Sequence, residues 1–564
     1  MVQHFKTGKW LIPIVALIAL AGGIDSASAK PKEKSKPRNV IVLIADGCGS
    51  EQYTLARWFK GAPLTLDEIL VGAVKTHIAD SVVADSAPTA TAYATGYRSS
   101  DKLIGVGPKG GTLPTMPEPP AAEWYRPLAT VLEGARLKGM ATGIVATSRV
   151  SHATPAAYMA HVPSRSQEES IMEQAVYQGV DVVFGGGGRY LLPKNMGGKR
   201  ADGENLKSVL RTKGYIVAEN GAEMNAFVTG RIFGMFSGDH MEPEIDRKEF
   251  APKQPSLEEM TLKAIEILSG QSKARGFFLM VEGSEIDWAD HGNDPSQLMS
   301  DLMQFDRAVG AALDFARKNG NTLVLALSDH NTGGMTIGNY GTSKTYSQLK
   351  LDQLLDPLRK MRLSAPGLLR KVGNEKTPEK VKGVVKAYWG LDITDDEAAA
   401  ILSIARKDKD DPHNGFGEVL TPRYTAIGWT THGHTGGDVP LFAYGPKSPK
   451  GLLDGPEIGR VTAEALGIDL DRTTQRLFVE AQSAFKDGMV TIDKTDAENP
   501  VVRVEYQEKQ AEMPVNKNLM RIDGVESELE GVVVYIPETD KAYVPLQAVH
   551  AILGKKGKRP SISK

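Results

Sequence analysis

The strongest constraint on this chain is a set of short, unbroken apolar runs, each of which ends at an acid. Asn39 to Ala45 (NVIVLIA) leads into Asp46, Gly276 to Val281 (GFFLMV) into Glu282, and Thr322 to Leu327 (TLVLAL) into Ser328-Asp329-His330. Runs of this length without polar alternation fit strands buried on both faces. Segments of helical spacing lie between them. Ser256-x-x-Glu259 forms a capping box ahead of Met260, Ala264 and Leu268. Asp294-Pro295 opens a helix whose apolar face is Leu298, Leu302, Phe305 and Val309, with Gly320 as its stop. Ala141 to Thr147, Val180 to Phe184 and Pro440 to Tyr444 read as further strands, and Glu51 to Phe59 and Arg126 to Met140 as helices. Strands alternating with helices predict a mostly parallel α/β sheet. Ligands of such sheets bind beyond the carboxyl ends of the strands, where Asp46, Glu282 and Asp329 all fall.

At 564 residues the chain is long enough for two or three domains. A formal charge of −2 argues against a general nucleic-acid binder, and no nucleic-acid-binding domain is expected. Lys6 and Lys9 precede the apolar run Leu11 to Ala21 and then Ala27-Ser28-Ala29, the pattern of a signal peptide over residues 1–29. The run is too short for a membrane span, so no transmembrane segment should remain after cleavage. The expected destination lies across an inner membrane, in a periplasm or outside the cell. The single cysteine, Cys48, excludes an intrachain disulfide and reads as a small buried residue.

Residues 30–38 read as a Lys/Pro-rich linker and 39–485 as the main domain. Helical stretches among charged connections mark an insertion at about 336–427, expected to cap one edge of the sheet. Gly185 to Gly188 lack a following Gly-Lys-Ser/Thr and read as a turn, as does Asp410 to Gly415. Residues 486–564 read as a small β-rich module with a short helix near Leu546 to Leu553 and a basic tail, Lys555 to Arg559.

The residues with chemistry cluster in five places. Asp85-Ser86 stands in a run of small residues, Val83 to Ala92 (VADSAPTATA), where a helix N-cap is the plain reading of the aspartate. A serine there needs a base or a metal to become a nucleophile. Asp46 is the second place. In Glu282-Gly-Ser-Glu-Ile-Asp287-Trp-Ala-Asp290-His291, a helix would put Asp287 and His291 on one face. Ser328 to Gly334 (SDHNTGG) and His432 to Asp438 (HGHTGGD) complete the set. Carboxylates mixed with imidazoles suit zinc, and carboxylates with a hydroxyl suit magnesium.

Taken together and in this order, these motifs, with His152-Ala-Thr154-Pro through Arg165, resemble the alkaline phosphatase family over roughly residues 38–470. The resemblance implies a three-layer α/β/α sandwich and hydrolysis of phosphate monoester substrates through a phosphoserine. Ser86 would be the nucleophile and Arg165 the fork that holds two phosphate oxygens. Asp287, His291 and His434 would bind a first zinc ion (Zn2+), and Asp46, Asp329 and His330, with Ser86, a second. Asp46, Thr154 and Glu282 would bind one magnesium ion (Mg2+), with cobalt (Co2+) or zinc as alternatives. Asp85, His152, Trp288 and His432 would lie behind the ligands or against substrate. Many relatives pair, so a homodimer is one expectation. Pro88 departs from the usual smaller residue and would stiffen the nucleophile loop.

The remaining histidines, His77, His161, His240, His413 and His550, read as structural or exposed. Two other readings stand beside the phosphomonoesterase. One is a phosphodiesterase or another ester hydrolase of the same superfamily. The other is an exported metal- or phosphate-binding protein without turnover. Cys48-Gly-Ser-Glu-Gln is not the Cys-x-Pro-x-Arg run of a sulfatase.

Overall fold

Each apolar run becomes a strand whose alternate side chains enter two separate cores. In Asn39–Ala45 (β1), Ile41, Leu43 and Ala45 face one apolar layer, and Val40, Val42 and Ile44 face the other. This is the period-2 geometry of a sheet covered on both sides. The structure, a computed structural model, describes residues 37–272 and 275–554; the expected signal peptide, nearly all of the linker and the basic tail lie outside them.

Ten strands form the main sheet. After β1 they are Leu70–Lys75 (β2), Ala141–Arg149 (β3), Val182–Gly186 (β4), Tyr215–Ala218 (β5), Arg231–Met235 (β6), Phe277–Gly283 (β7), Thr322–Leu327 (β8), Val439–Tyr444 (β9) and Gly451–Asp454 (β10). Their spatial order is β10-β2-β9-β8-β1-β7-β3-β4-β6-β5. All pairings are parallel except those of β9, which runs against β2 and β8. Register sets the level of the acids. Ile44 pairs with both Glu282 and Leu327, so Asp46 and Asp329, each two residues on, leave the sheet side by side.

Helices cover both faces, giving the three-layer α/β/α sandwich. Ser50–Lys60, Leu257–Ser272 and Pro295–Asn319 lie on one face, and Ser86–Thr95, Val131–Leu137 and Gly455–Leu466 on the other. The capping box forms as expected, with Ser256 and Glu259 exchanging bonds through their backbone N–H groups. The insertion departs from expectation. It docks on the helical layer rather than on a sheet edge: its helix Leu351–Lys360 contacts Ser50–Lys60, and its apolar faces, among them Leu355, Leu368, Val385, Trp389 and Phe416, join the core on that side of the sheet. Buried carboxylates pin it there: Asp246 accepts from the Ser364 N–H at 2.9 Å, and Asp294 Oδ2 from the Ala365 N–H at 2.6 Å.

The C-terminal region is antiparallel. Five strands, Met489–Asp493, Val501–Tyr506, Lys509–Pro514, Leu519–Ile522 and Val525–Glu528, form a meander. Beside it Val479–Glu480, Val534–Ile536 and Lys541–Val544 form a three-stranded sheet, followed by the helix Leu546–Ile552. Among the described residues no helix is long and apolar enough to cross a membrane.

Asp294 joins two elements: Oδ1 caps Pro295–Asn319 through the Ser296 and Gln297 N–H groups while Oδ2 holds the insertion. Asp294→Ala should therefore cost about 2–3 kcal/mol, a lost cap plus a buried N–H left unpaired. The expected readout is a lower urea midpoint at unchanged m-value.

Candidate metal and phosphate site

The sheet delivers its acids to one point. Asp46 turns off β1 at Gly47, whose φ of 73° is left-handed, and a Cβ there would meet Asp287 Oδ1 at 2.6 Å. Gly47 thus allows the backbone to pass beneath the acids, and its N–H donates to Asp329 Oδ1 at 3.1 Å. Asp46, Ser86, Thr154, Glu282, Asp329 and His330 are all buried.

Ser86 is the first residue of a ten-residue helix, Ser86–Thr95, that is buried along its whole length. Pro88 falls in its first turn, where a missing N–H leaves no intrahelical bond unmade. Asp85 holds the N-cap position, yet its side chain does not cap. Instead Asp85 Oδ1 accepts from Arg165 Nη1 at 2.5 Å, and Arg165 Nη2 lies 2.9 Å from His152 Nε2. Burial would raise the Asp85 carboxyl, but the Arg165 guanidinium outweighs it and holds the pKa below the usual range.

His330 Nε2 sits 3.0 Å from Ser86 Oγ, 3.3 Å from Asp329 Oδ2 and 3.5 Å from Asp46 Oδ1. One imidazole nitrogen, two carboxylates and a hydroxyl thus surround a single point. Beside it the helix Glu285–His291 presents Asp287 and His291 one turn apart, Oδ2 to Nε2 at 3.2 Å. His434 Nε2 is 3.2 Å from His291 Nε2 and 3.7 Å from Asp287 Oδ1. A third group unites Asp46, Glu282 and a ring nitrogen of His152, with ligand atoms within 4.8 Å of one another. Equivalent groups are Asp46, Asp329 and His330, and Asp287, His330 and His434.

The electrostatics call for cations. Asp46 Oδ1, Glu282 Oε1, Asp329 Oδ2, Thr154 Oγ1 and His152 Nδ1 are buried without a hydrogen-bond partner. Burial, then the neighbouring Asp329 and Asp287, pushes the Asp46 carboxyl well above its ordinary pKa. Burial lifts Glu282 to about 7, and burial with Asp287 lifts Asp329 to about 6. For Asp287 burial is outweighed by His291, His434 and His330, which hold it low. Burial, with His434 for His330 and Arg165 for His152, keeps both imidazoles neutral. Unpaired buried acids of this density are costly unless metal ions neutralise them, and neutral imidazoles are ready ligands.

The sequence profile described as alkaline phosphatase matches residues 37–468. The chain belongs to the alkaline phosphatase family. It is 33% identical over 486 residues to alkaline phosphatase 4 of Bacillus subtilis (strain 168), covering 81% of this chain and 96% of that one. Among solved structures it resembles the Thermus thermophilus alkaline phosphatase, with a TM-score of 0.68, 29% identity, and coverage of 77% and 92%. The cold-active alkaline phosphatase of a psychrophilic Shewanella sp. gives a TM-score of 0.64 at 28% identity, with coverage of 76% and 99%. As an alkaline phosphatase family member the chain is a hydrolase, and several of its His, Asp and Glu clusters are able to hold metal ions.

Several residues that support this alkaline phosphatase site escape a reading of the sequence. Thr332 Oγ1 donates to Asp287 Oδ1 at 2.6 Å and meets His330 Nδ1 at 3.2 Å, tying two clusters together. Its position two residues beyond His330 in an extended segment was the available signal. His240 is half-buried and packs among the same side chains: its ring lies 4.1 Å from Trp288 and 5.4 Å from His152, centroid to centroid. His432, which the sequence motif does single out, exchanges bonds with His291, each ring Nδ1 meeting the other residue's carbonyl oxygen.

Chelation should destabilise the protein in a pH-dependent way. Above about pH 6.5 the low-pKa imidazoles are neutral folded or unfolded and drop out. Glu282, raised to about 7 in the folded state, still holds much of its proton at pH 6.5, where the unfolded chain has lost it, and gives it up by pH 9. His291, raised to about 9 by Asp287 against its burial, likewise loses its stabilising charge as pH climbs through 9. EDTA should therefore lower Tm more at pH 9 than at pH 6.5; an equal drop at both would contradict this.

Proposed function

We propose that this chain hydrolyses phosphate monoesters by two successive displacements at Ser86, releasing an alcohol and then inorganic phosphate. One observation carries the reading: at the start of a buried helix the Ser86 hydroxyl lies 3.0 Å from His330 Nε2, the nitrogen that Asp329 and Asp46 also approach. The ligand sets fit two zinc ions, one on Asp287, His291 and His434 and one on Asp46, Asp329, His330 and Ser86. Asp46, Thr154 and Glu282 fit magnesium, and the nearby nitrogen of His152 would suit cobalt or zinc instead. Bound there, such ions lower the pKa of a hydroxyl or water and stabilise a departing oxygen.

The chain's own residues do the rest. Ser86 Oγ gives up its proton to solvent and attacks phosphorus as the ester oxygen leaves on the opposite side, taking a proton from solvent as it becomes the alcohol. Water then displaces the serine from phosphoserine and restores its hydroxyl. Arg165 offers two parallel N–H donors to phosphate oxygens, a match a lysine could not make. Asp85 and His152 hold that fork in its plane. The unpaired N–H groups of Ser86 and Ala87 at the helix start face the anion. A dianionic monoester suits this arrangement better than a diester, which has one oxygen fewer to hold. The basic, apolar, small-residue leader supports export to a periplasm or beyond.

Ser86→Ala should keep its zinc and magnesium by elemental analysis and lose more than ~10³-fold in kcat on an aryl phosphate. Wild-type rates on aryl diesters and sulfate esters should be far lower than on the monoester. Free turnover by Ser86→Ala would remove the assigned nucleophile. Tight phosphate uptake with no wild-type turnover would favour the binding-protein reading.

A further inference from the structure

The stretch from the end of β3 to the helix Glu168–Tyr177 carries His152, Thr154 and Arg165, and one side chain closes it. Arg149, the last residue of β3, donates through Nε to Glu168 Oε2 at 2.7 Å and through Nη2 to Glu168 Oε1 at 2.8 Å. These residues are 19 positions apart, so the fork-to-fork pair joins the two ends of the loop. Ser151 Oγ adds a bond to Glu168 Oε2 at 2.8 Å. The remaining nitrogen, Nη1, reaches Asp239 Oδ1 at 2.6 Å and His240 Nε2 at 2.5 Å. His240 packs on Trp288 and His152, and His152 meets Arg165. Every guanidinium nitrogen of Arg149 is thus committed, to Glu168, Asp239 or His240.

Arg165 itself lies in a turn with few anchors: its N–H donates to the Lys102 carbonyl at 2.8 Å, and its head group is held by Asp85 and His152. A fork that must meet two phosphate oxygens tolerates little displacement. We propose that Arg149 is a positioning residue for phosphate. Clamped on Glu168, it sets the loop so that Arg165 faces Ser86, and through His240 it seats Trp288 and His152 against that loop. The inference rests on Arg165 being the group that grips phosphate. A lysine at 149 would keep the charge but could not span both oxygens of Glu168 while also reaching Asp239.

The test uses the metal-replete enzyme and inorganic phosphate as inhibitor, with kcat and KM on an aryl monoester. Arg149→Lys and Glu168→Gln should each weaken phosphate inhibition about tenfold and raise KM in step, with kcat within about threefold of wild type. In an Arg165→Ala background, Arg149→Lys should add less than about twofold, because the two residues act through one contact. Glu168→Gln preserves shape and carries the test should Arg149→Lys not fold. The proposal is overturned if the full effect reappears without Arg165, or if the folded single variants bind phosphate like wild type. Should Arg165→Ala alone leave phosphate inhibition intact, the reading of Arg165 fails instead.

Discussion

Four buried carboxylates packed at one end of a sheet, with no lysine or arginine paired to them, dominate this structure. Asp46, Glu282, Asp287 and Asp329 are each nearly inaccessible, and the ion-pair partners of Asp46, Asp287 and Asp329 among the described residues are histidines. A protein without metal ions has little reason to hold such a group together, because each ionised acid would face several kcal/mol of desolvation. Parallel strands make the grouping unavoidable. β1, β7 and β8 are neighbours in register, so whatever follows their ends must share one small volume.

The surroundings answer the strain that this crowding creates. Gly47 gives up a side chain so that Asp287 can sit over the backbone, and Thr332 bridges Asp287 and His330. On the opposite side, Arg165 pairs with Asp85 rather than with the clustered acids, and Asp85 and His152 fix its guanidinium next to the start of the Ser86 helix. Positive and negative groups are thus kept as two adjoining sets, one suited to cations and the other to an oxyanion.

The insertion takes part in this as well. Its helix Asn414–Tyr424 carries Glu418, which meets His432 Nε2 at 3.3 Å, and His432 in turn fixes His291. Asp294 holds another part of the insertion at the start of the helix that follows His291. An element that looked in sequence like an edge cap is therefore a buttress behind the cluster of Asp287, His291 and His434.

The pattern of apolar runs ending in acids was enough to read the central strands and a mostly parallel sheet, whereas the three-layer sandwich and the roles of the site residues were implied by the family resemblance. Asp287 and His291 were legible as a helical pair, because spacing along one helix is a local property. The strands β2, β5, β6 and β10 were not. β5 and β10 are the sheet edges and β2 is only partly buried, so their side chains show weaker apolar patterning. Nor could the reversal of β9 against its neighbours be read, because chain connectivity, not composition, fixes that choice. His240 and Arg149 looked ordinary in sequence, as their importance comes from side chains far along the chain. The sequence alone determined which residues would be buried and which could bind metal or phosphate, since burial and ligand chemistry belong to each residue and its near neighbours. Only the tertiary structure decided which of them meet, because register, strand order and long-range packing are properties of the folded whole.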